Sequence, residues 1–187
     1  MVDTVDAVEV ENSDANITLH VGFLLMPEYT LSTFSNAVSV LRMANRLCGR
    51  ELYRYSVFSL NGEPVISSSG IELVLDGSIK SLGDMNVLMV CGGYNIKNYC
   101  TKPVVDALRA MDKKKIPLGG MCTGSYVLAA AGLLDGYRST IHWENIASMR
   151  EQFPKLNISS SLFVIDRNRY TCSGGISSID LMLNLVA

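Results

Sequence analysis

The sequence predicts an α/β fold with a mainly parallel sheet and helices on both faces. Apolar runs of strand length alternate with helical patterns along the chain, which is the order of elements found in parallel sheets. The first run, residues 19–26, is apolar, as expected for a strand that is covered on both sides. A glycine-rich turn around Cys122 joins a strand to a helix, as in a nucleophile elbow.

Composition limits the class of protein. The 187 residues are enough for one domain with a full hydrophobic core. Hydrophobic residues make up 48% and charged residues 18%, which excludes a disordered chain. The formal net charge is -2, and the lysine run at residues 113–115 is typical of a helix end rather than of a DNA-binding surface.

Cysteine and histidine usage argues against a metal site. The five cysteines form no CxxC pair and the chain has two histidines, so we expect no metal, no cofactor and the reduced thiols of a cytoplasmic protein. Residues 1–17 are acidic, unlike a signal peptide, so we expect a flexible leader there and one domain over residues 18–187. No apolar run is long enough to cross a membrane, and no membrane partner is expected.

The first half of the chain is predicted from apolar runs and their caps. After the strand at residues 19–26, Thr30 or Ser32 can cap a helix that ends at Gly49. A second helix begins at Pro103. The strands expected between these helices are residues 53–60, 71–75 at a sheet edge, and 86–91.

The second half contains the elbow and several shorter elements. Residues 115–118 are predicted as a buried strand, residues 119–124 as the turn and residues 125–131 as a helix. A hairpin turn is expected at residues 166–169. The remaining strands expected are residues 139–143, 156–159, 162–165 and 170–172, and the remaining helices are residues 144–153 and 176–186.

Cys122 is the candidate reactive residue. Glycines on both sides leave room above its sulfur, and a helix that starts beside it favours the thiolate. It can act as a nucleophile, as a redox-sensitive thiol that Cys91 or Cys172 resolves, or as part of a pocket wall. The last role needs no general base, and the sequence offers no evident one.

Several other side chains can shape a binding site or serve only the structure. His142 is a distant candidate base, or a structural histidine held by a backbone carbonyl. Trp143 can wall a cation-binding pocket together with Tyr29 or Phe34, or it can pack in the core. Glu28 can neutralise a ligand amine, or it can lie exposed in its turn.

Several spaced motifs form an ordered set along residues 21–186. They are residues 22–27, 44–47 with 49–53, 91–93, 122–125 running through 131–138 to 142–143, and 171–175 with 179–181. The set resembles the PfpI/ThiJ branch of the class I glutamine amidotransferase-like superfamily. More narrowly, the chain resembles the sensor domain that precedes the DNA-binding domain in GlxA-type regulators of the AraC family.

The resemblance implies a flavodoxin-like three-layer sandwich with Cys122 at the carboxyl edge of the sheet. It also implies a small oxyanion pocket made by the amides of Gly93 and Thr123. PfpI-type hydrolases carry histidine at the position of Thr123, and enzymes of the superfamily carry an acid on the first helix at the position of Thr33. Isonitrile hydratase, which shares the Cys-Thr-Gly elbow, uses that acid. The catalytic set is therefore incomplete in this sequence.

The resemblance implies a non-catalytic, ligand-sensing domain of an AraC-family transcriptional regulator. Relatives respond to arginine, carnitine or betaine, so the expected effector is a small nitrogenous metabolite. We expect a homodimer, and contact with DNA only through a helix-turn-helix domain beyond residue 187. The alternative is a cysteine-dependent hydrolase or hydratase of small molecules. The expected ligand-binding residues are Cys122, Thr123, Gly92, Gly93, Glu28, Tyr29, Thr33, His142 and Trp143.

Overall fold

A seven-stranded sheet is the centre of the domain, which a computed structural model describes over residues 18–186. The leader predicted at residues 1–17 and the last residue of the predicted domain lie outside the described residues. The strands are β1 (Leu19–Leu25), β2 (Tyr53–Ser59), β3 (Val65–Ile66), β4 (Glu72–Leu73), β5 (Gly77–Ser78), β6 (Val87–Cys91), β7 (Leu118–Met121), β8 (Arg138–Ser139), β9 (Asn157–Ile158), β10 (Phe163–Asp166) and β11 (Arg169–Cys172). The helices are α1 (Leu31–Cys48), α2 (Ile96–Tyr99), α3 (Lys102–Lys113), α4 (Gly124–Ala130), α5 (Ile146–Gln152) and α6 (Ser177–Val186), with 3₁₀ turns at Ile79–Ser81 and Trp143–Asn145.

The main sheet is parallel except at one edge. Its strands lie in the order β10-β11-β7-β6-β1-β2-β5, and in the described part of the chain only β10 runs antiparallel to its neighbour. The predicted mainly parallel sheet is therefore confirmed. After β1 the chain first builds the β2 side and then returns to β6 and β7 on the other side, so a crevice opens at the carboxyl ends of these strands.

Two buried clusters cover the two faces of the sheet. Along β1, Phe23 packs in the cluster that α1 and α6 complete, whereas its neighbour Leu24 packs in the cluster that α3 and α4 complete. Successive side chains of a strand point to opposite faces, so an apolar run supplies both layers at once. The three-layer arrangement predicted for the fold is confirmed, and it explains why β1 lacks polar alternation.

Several predicted boundaries were wrong. The strand expected at residues 115–118 begins later, as β7 at Leu118. Lys115 takes a left-handed φ of +62°, and the ladder begins only after Pro117. Gly119 and Gly120 are therefore strand residues, and the side chain of Met89 fills the space above Gly119. The edge strand expected at residues 71–75 is instead β4, which pairs with β3 in a separate ladder, and β5 forms the sheet edge.

Shorter elements also differ from their predicted bounds. The helix expected at residues 144–153 begins as a 3₁₀ turn and becomes α-helical at Ile146. The strands expected at residues 139–143 and 156–159 shrink to β8 and β9, which pair with each other. Helix α2 was not predicted, because a single turn of four residues has no hydrophobic period to recognise. The hairpin turn between β10 and β11 is confirmed.

Candidate functional site

Cys122 lies in a two-residue turn between β7 and α4. Its φ of +58° is left-handed, a conformation that costs energy for a residue with a side chain. The turn is held because the amide of Cys122 donates to the carbonyl of Cys172 at 3.0 Å. A Cβ on Gly174 would lie 3.1 Å from the sulfur of Cys122, so only glycine fits against this side of the thiol. The expected elbow geometry is present at Cys122, but the turn is shorter than the predicted one at residues 119–124, because β7 extends to Met121 and α4 begins at Gly124.

The sulfur of Cys122 lies in a largely dry environment. The residue is 4% exposed, and its Sγ is 3.4 Å from the hydroxyl oxygen of Thr30. Burial raises the pKa of the Cys122 thiol above its ordinary 9.0, against the opposing hydrogen bonds from Thr30 and from the amide of Thr123, and the charge of Glu144 raises it further. The amide of Thr123 at the start of α4 does favour the thiolate, as expected, but desolvation outweighs it and the net shift of the pKa is upward.

A cavity of about 500 Å³ opens above Cys122 at the carboxyl edge of the sheet. Four of the expected ligand-binding residues line it, and the loop after β6 supplies most of its other side. The expected residues in the lining are Cys122, Thr123, Gly93 and His142. The lining residues that the sequence did not suggest are Thr30, Ser68, Tyr94, Asn95, Ile96, Lys97, Asn98, Glu144 and Asn145. Their only sequence signal was position, since most follow the carboxyl end of a parallel strand.

The other five expected residues lie outside this lining. Tyr29 is fully buried and packs edge-on against Phe34, with ring centroids 6.0 Å apart. Thr33 is buried too, and its hydroxyl oxygen accepts a hydrogen bond from the amide of Gly175 at 2.7 Å. Gly92 packs against the backbone of Gly124, where a Cβ would clash. These three residues shape the floor under the cavity without lining it.

The aromatic pocket expected around Trp143 is not formed. Trp143 does not pack in the core either: it is 69% exposed and lies beside the ring of His142, with centroids 5.6 Å apart. Tyr29 and Phe34 are buried in the cluster that α1 and α6 complete. The aromatic side chain that does line the cavity is Tyr94, which is 68% exposed. Glu28 also stays out of the lining, and its carboxylate accepts a hydrogen bond from the side-chain amide of Asn95 at 2.9 Å.

Within residues 18–186, no carboxylate or imidazole is hydrogen-bonded to the sulfur of Cys122. The ring of His142 approaches Glu144 instead, with 3.7 Å between Nδ1 and Oε2, and the amide of His142 donates to the carbonyl of Cys122 at 3.3 Å. A thiol with a raised pKa and no general base is a poor nucleophile near neutral pH. The cavity is better equipped to bind a polar molecule than to transform one.

Other site chemistry is limited in the described part of the chain. All five cysteines, which lie within residues 18–186, are free thiols. Residues 18–186 hold no group of three or more histidine, cysteine, aspartate or glutamate side chains placed to bind a metal ion. No helix among them is long and apolar enough to span a membrane.

Comparison with known proteins identifies relatives over nearly all of the chain. The DJ-1/PfpI family model matches residues 20–187. The HTH-type transcriptional regulator GbdR of Pseudomonas aeruginosa is 45% identical over 166 residues, which cover 89% of this chain and 45% of the relative. GlxA of Rhizobium meliloti, also an HTH-type transcriptional regulator, is 36% identical over 178 residues, covering 94% of this chain and 55% of the relative. The chain thus spans about half the length of the curated relatives it matches.

A solved structure agrees with these relatives. The crystal structure of an AraC family transcriptional regulator from Pseudomonas putida superposes with a TM-score of 0.82 at 32% identity, and the match covers 90% of each chain. At this identity the likeness extends to sequence as well as to fold.

Proposed function

The chain belongs to the DJ-1/PfpI family, and we propose that it is the non-catalytic, ligand-sensing domain of an AraC-family transcriptional regulator. The observation that carries this proposal is the cavity above Cys122, which has polar walls but offers the sulfur no acid or base. The regulators GbdR and GlxA supply the context of a longer protein that controls transcription. The family fold supplies the site, and the missing catalytic groups favour binding over turnover.

The proposed effector is a small nitrogenous metabolite. The carboxylate of Glu144 lines the cavity with 59% of its side chain exposed, so it can meet a cationic nitrogen without being desolvated beforehand. The exposed ring of Tyr94 lines the same cavity, and aromatic faces attract ammonium groups. Cys122 and Thr123 would contact the ligand from the floor. In this proposal Tyr94 takes the role that we first expected of Trp143.

The proposed route from ligand to DNA lies outside this chain. We propose that the complete regulator is a homodimer and binds DNA through a helix-turn-helix domain beyond residue 187. Dimers of such regulators match the two-fold symmetry of paired half-sites. A full-length protein that stays monomeric at micromolar concentration by sedimentation would contradict the dimer.

A cysteine-dependent hydrolase or hydratase is the second candidate. The observation in its favour is the strained, left-handed Cys122, next to the amide of Thr123, which the resemblance implies as an oxyanion donor. We expect wild-type protein and Cys122→Ala to show the same absence of turnover with small nitriles, isonitriles and amides. Turnover by the wild type that Cys122→Ala abolishes would replace the sensor proposal with the enzyme.

Thermal unfolding with a panel of small molecules tests the sensor proposal. The panel contains quaternary ammonium compounds and amino acids, each beside a neutral analogue of the same shape. A ligand at 100 times its Kd stabilises a protein by about 2.7 kcal/mol, which raises the Tm of a domain of this size by about 5–10 °C. We expect such a shift with at least one cation and none with its neutral analogue.

Two glutamate variants locate the binding site. Glu144→Gln keeps the size of the side chain and removes its charge, so it should lose most of the shift. Glu151→Gln is the matched control, because Glu151 is exposed on α5 outside the cavity lining. If the shift in Tm survives in Glu144→Gln, the ligand binds somewhere other than at Glu144. If no compound of the panel shifts the Tm, the proposed ligand class is contradicted.

A further inference from the structure

The turn at Glu28 joins two neighbouring segments to the end of β1. The amide of Glu28 donates to the carbonyl of Ile66 in β3 at 3.0 Å, and its carbonyl accepts from the amide of Tyr94 at 3.2 Å. The residue takes a left-handed φ of +60°, an unfavourable conformation that these contacts maintain. A Cβ on Gly93 would lie 2.7 Å from the carbonyl carbon of Glu28, so glycine is needed for this close approach. The turn therefore fixes where the chain leaves β6.

The side chain of Glu28 reaches the same segment from the other side. Its Oε2 accepts from Nδ2 of Asn95 at 2.9 Å. Burial raises the pKa of Tyr99, and the negative charge of nearby Glu28 raises it further, so the carboxylate also lies near this phenol. Asn95 and Tyr99 stand at the two ends of α2. The carboxylate of Glu28 is thus bonded to the start of this short helix and lies near its end.

The segment so held is one wall of the cavity. We call residues 94–99 the wall segment; Tyr94, Asn95 and Lys97 in it line the cavity, whereas Glu28 does not. Helix α2 has four residues and, within the described chain, no side-chain cap, and an isolated turn of helix is unstable in water. Its buried anchor is Ile96. The wall segment therefore depends on contacts from outside itself.

We propose that Glu28 is a positioning residue that holds the wall segment in its cavity-forming place, and that it is not a ligand contact. The relevance to sensing rests on the proposed function, since it takes the cavity as the ligand site. The geometric claim stands without any ligand. Loss of the carboxylate should release Asn95 at the start of α2 and open a path to the thiol below.

Hydrogen exchange and alkylation of the ligand-free protein test this claim. We expect Glu28→Ala to speed amide exchange in residues 94–99 and iodoacetamide labelling of Cys122 by about tenfold, because it removes the hydrogen bond that Asn95 donates to a charged group. Peptide mapping reads the labelling against exposed Cys48 as internal reference. Glu28→Gln should stay within about threefold of wild type, since its amide oxygen still accepts from Asn95.

Two further variants separate positioning from general stability. Glu63→Ala is the matched control, because Glu63 is exposed and, within residues 18–186, only its backbone forms hydrogen bonds. Asn95→Asp removes the donor of this hydrogen bond at nearly constant shape and keeps a residue type that tolerates the left-handed φ of Asn95. It should change the exchange by about threefold or more, which keeps the test available if Glu28→Ala fails to fold. Unchanged exchange of the wall segment in both variants would overturn the proposal, as would an equal rise in α6. Neither result depends on the amine panel, so the two proposals can fail separately.

Discussion

The hydroxyl of Thr30 is the side-chain group that moderates the thiol of Cys122. It lies 3.4 Å from the sulfur and lowers a pKa that burial raises. Thr30→Val removes the hydroxyl at nearly constant shape. Thr30 is the N-cap residue of α1, yet its side chain makes no capping hydrogen bond within the described residues, so the helix should not be weakened. The change therefore acts on the sulfur alone.

The size of the effect follows from the hydrogen bond that is lost. A net value of about 1 kcal/mol, near the low end for a charged partner because the contact is long, leaves about fivefold less thiolate at a given pH. A thiolate of higher pKa is also intrinsically more nucleophilic, with a Brønsted slope of about 0.4–0.5. This offsets about half of the loss on a logarithmic scale. Alkylation of Cys122 should therefore slow by about twofold.

The assay is iodoacetamide labelling of Cys122 between pH 7 and pH 9.5, followed by peptide mapping. Because the pKa of the thiol lies above 9.0, the wild-type rate should rise about tenfold per pH unit up to about pH 9, without a plateau. Thr30→Val should run below this line at every pH. Thr101→Val is the control, since Thr101 is likewise an N-cap residue without a side-chain cap bond in the described chain.

A plateau in the wild-type rate below pH 8 would refute the reasoning, because it would mean that the thiolate already forms near neutrality. The amides at the start of α4 would then outweigh burial in setting the pKa of Cys122, and the enzyme would become the better candidate. Faster labelling in Thr30→Val, with Thr101→Val unchanged, would also contradict it. That result would mean that the hydroxyl shields the sulfur rather than stabilising its charge.

Three further predictions concern the scaffold around the site. Gly93→Ala should cost about 3 kcal/mol in urea unfolding, because its Cβ would overlap the Glu28 backbone; Gly83→Ala, with no atom within 4 Å of its Cβ, should be near neutral. Arg169→Met should cost about 3 kcal/mol by the same measurement, because it breaks the ion pair between the buried guanidinium of Arg169 and the carboxylate of Asp112, whose side chain is 36% exposed. Burial raises the pKa of Cys172 from 9.0 to about 11, so this thiol should lower the stability by about 3 kcal/mol as pH rises from 9 through 11. Burial raises the pKa of Cys91 and Cys122 too, so Cys172→Ala should reduce the fall by about that amount without abolishing it.

The fold was predictable because its signals are local and repeated. The apolar run of β1 supplies both layers of the core, so its lack of alternation indicated a covered parallel strand before any contact was known. The cap at Gly49 was predictable for the same reason, since its left-handed φ of +64° is a single-residue requirement. Strand β7 was misplaced because glycines normally mark turns, and here Met89 from the adjacent strand fills the space above one of them.

The site was only half predictable, because its floor is local and its wall is not. The floor residues Cys122, Thr123 and Gly93 belong to glycine-containing motifs that can be recognised in the sequence. The wall segment has no motif, and in our proposal it depends on Glu28, more than sixty residues earlier, which accepts a hydrogen bond from Asn95 at the start of α2. Glu28 was expected to neutralise a ligand amine, whereas its carboxylate lies outside the cavity lining and is hydrogen-bonded to the protein. A carboxylate in a turn has no pattern that distinguishes these roles.

Thr33 shows why a missing catalytic residue is not an empty position. The resemblance implies an acid at this position in enzymes of the superfamily, whereas here the threonine hydroxyl accepts a hydrogen bond from the amide of Gly175. The neighbouring Gly174 packs directly on Cys122, so Thr33 steadies the loop that confines the sulfur. A carboxylate at this buried position would carry a charge into the core, which is unfavourable without a partner. Threonine at position 33 thus serves a structural contact, which is consistent with our proposal of a site that holds a ligand.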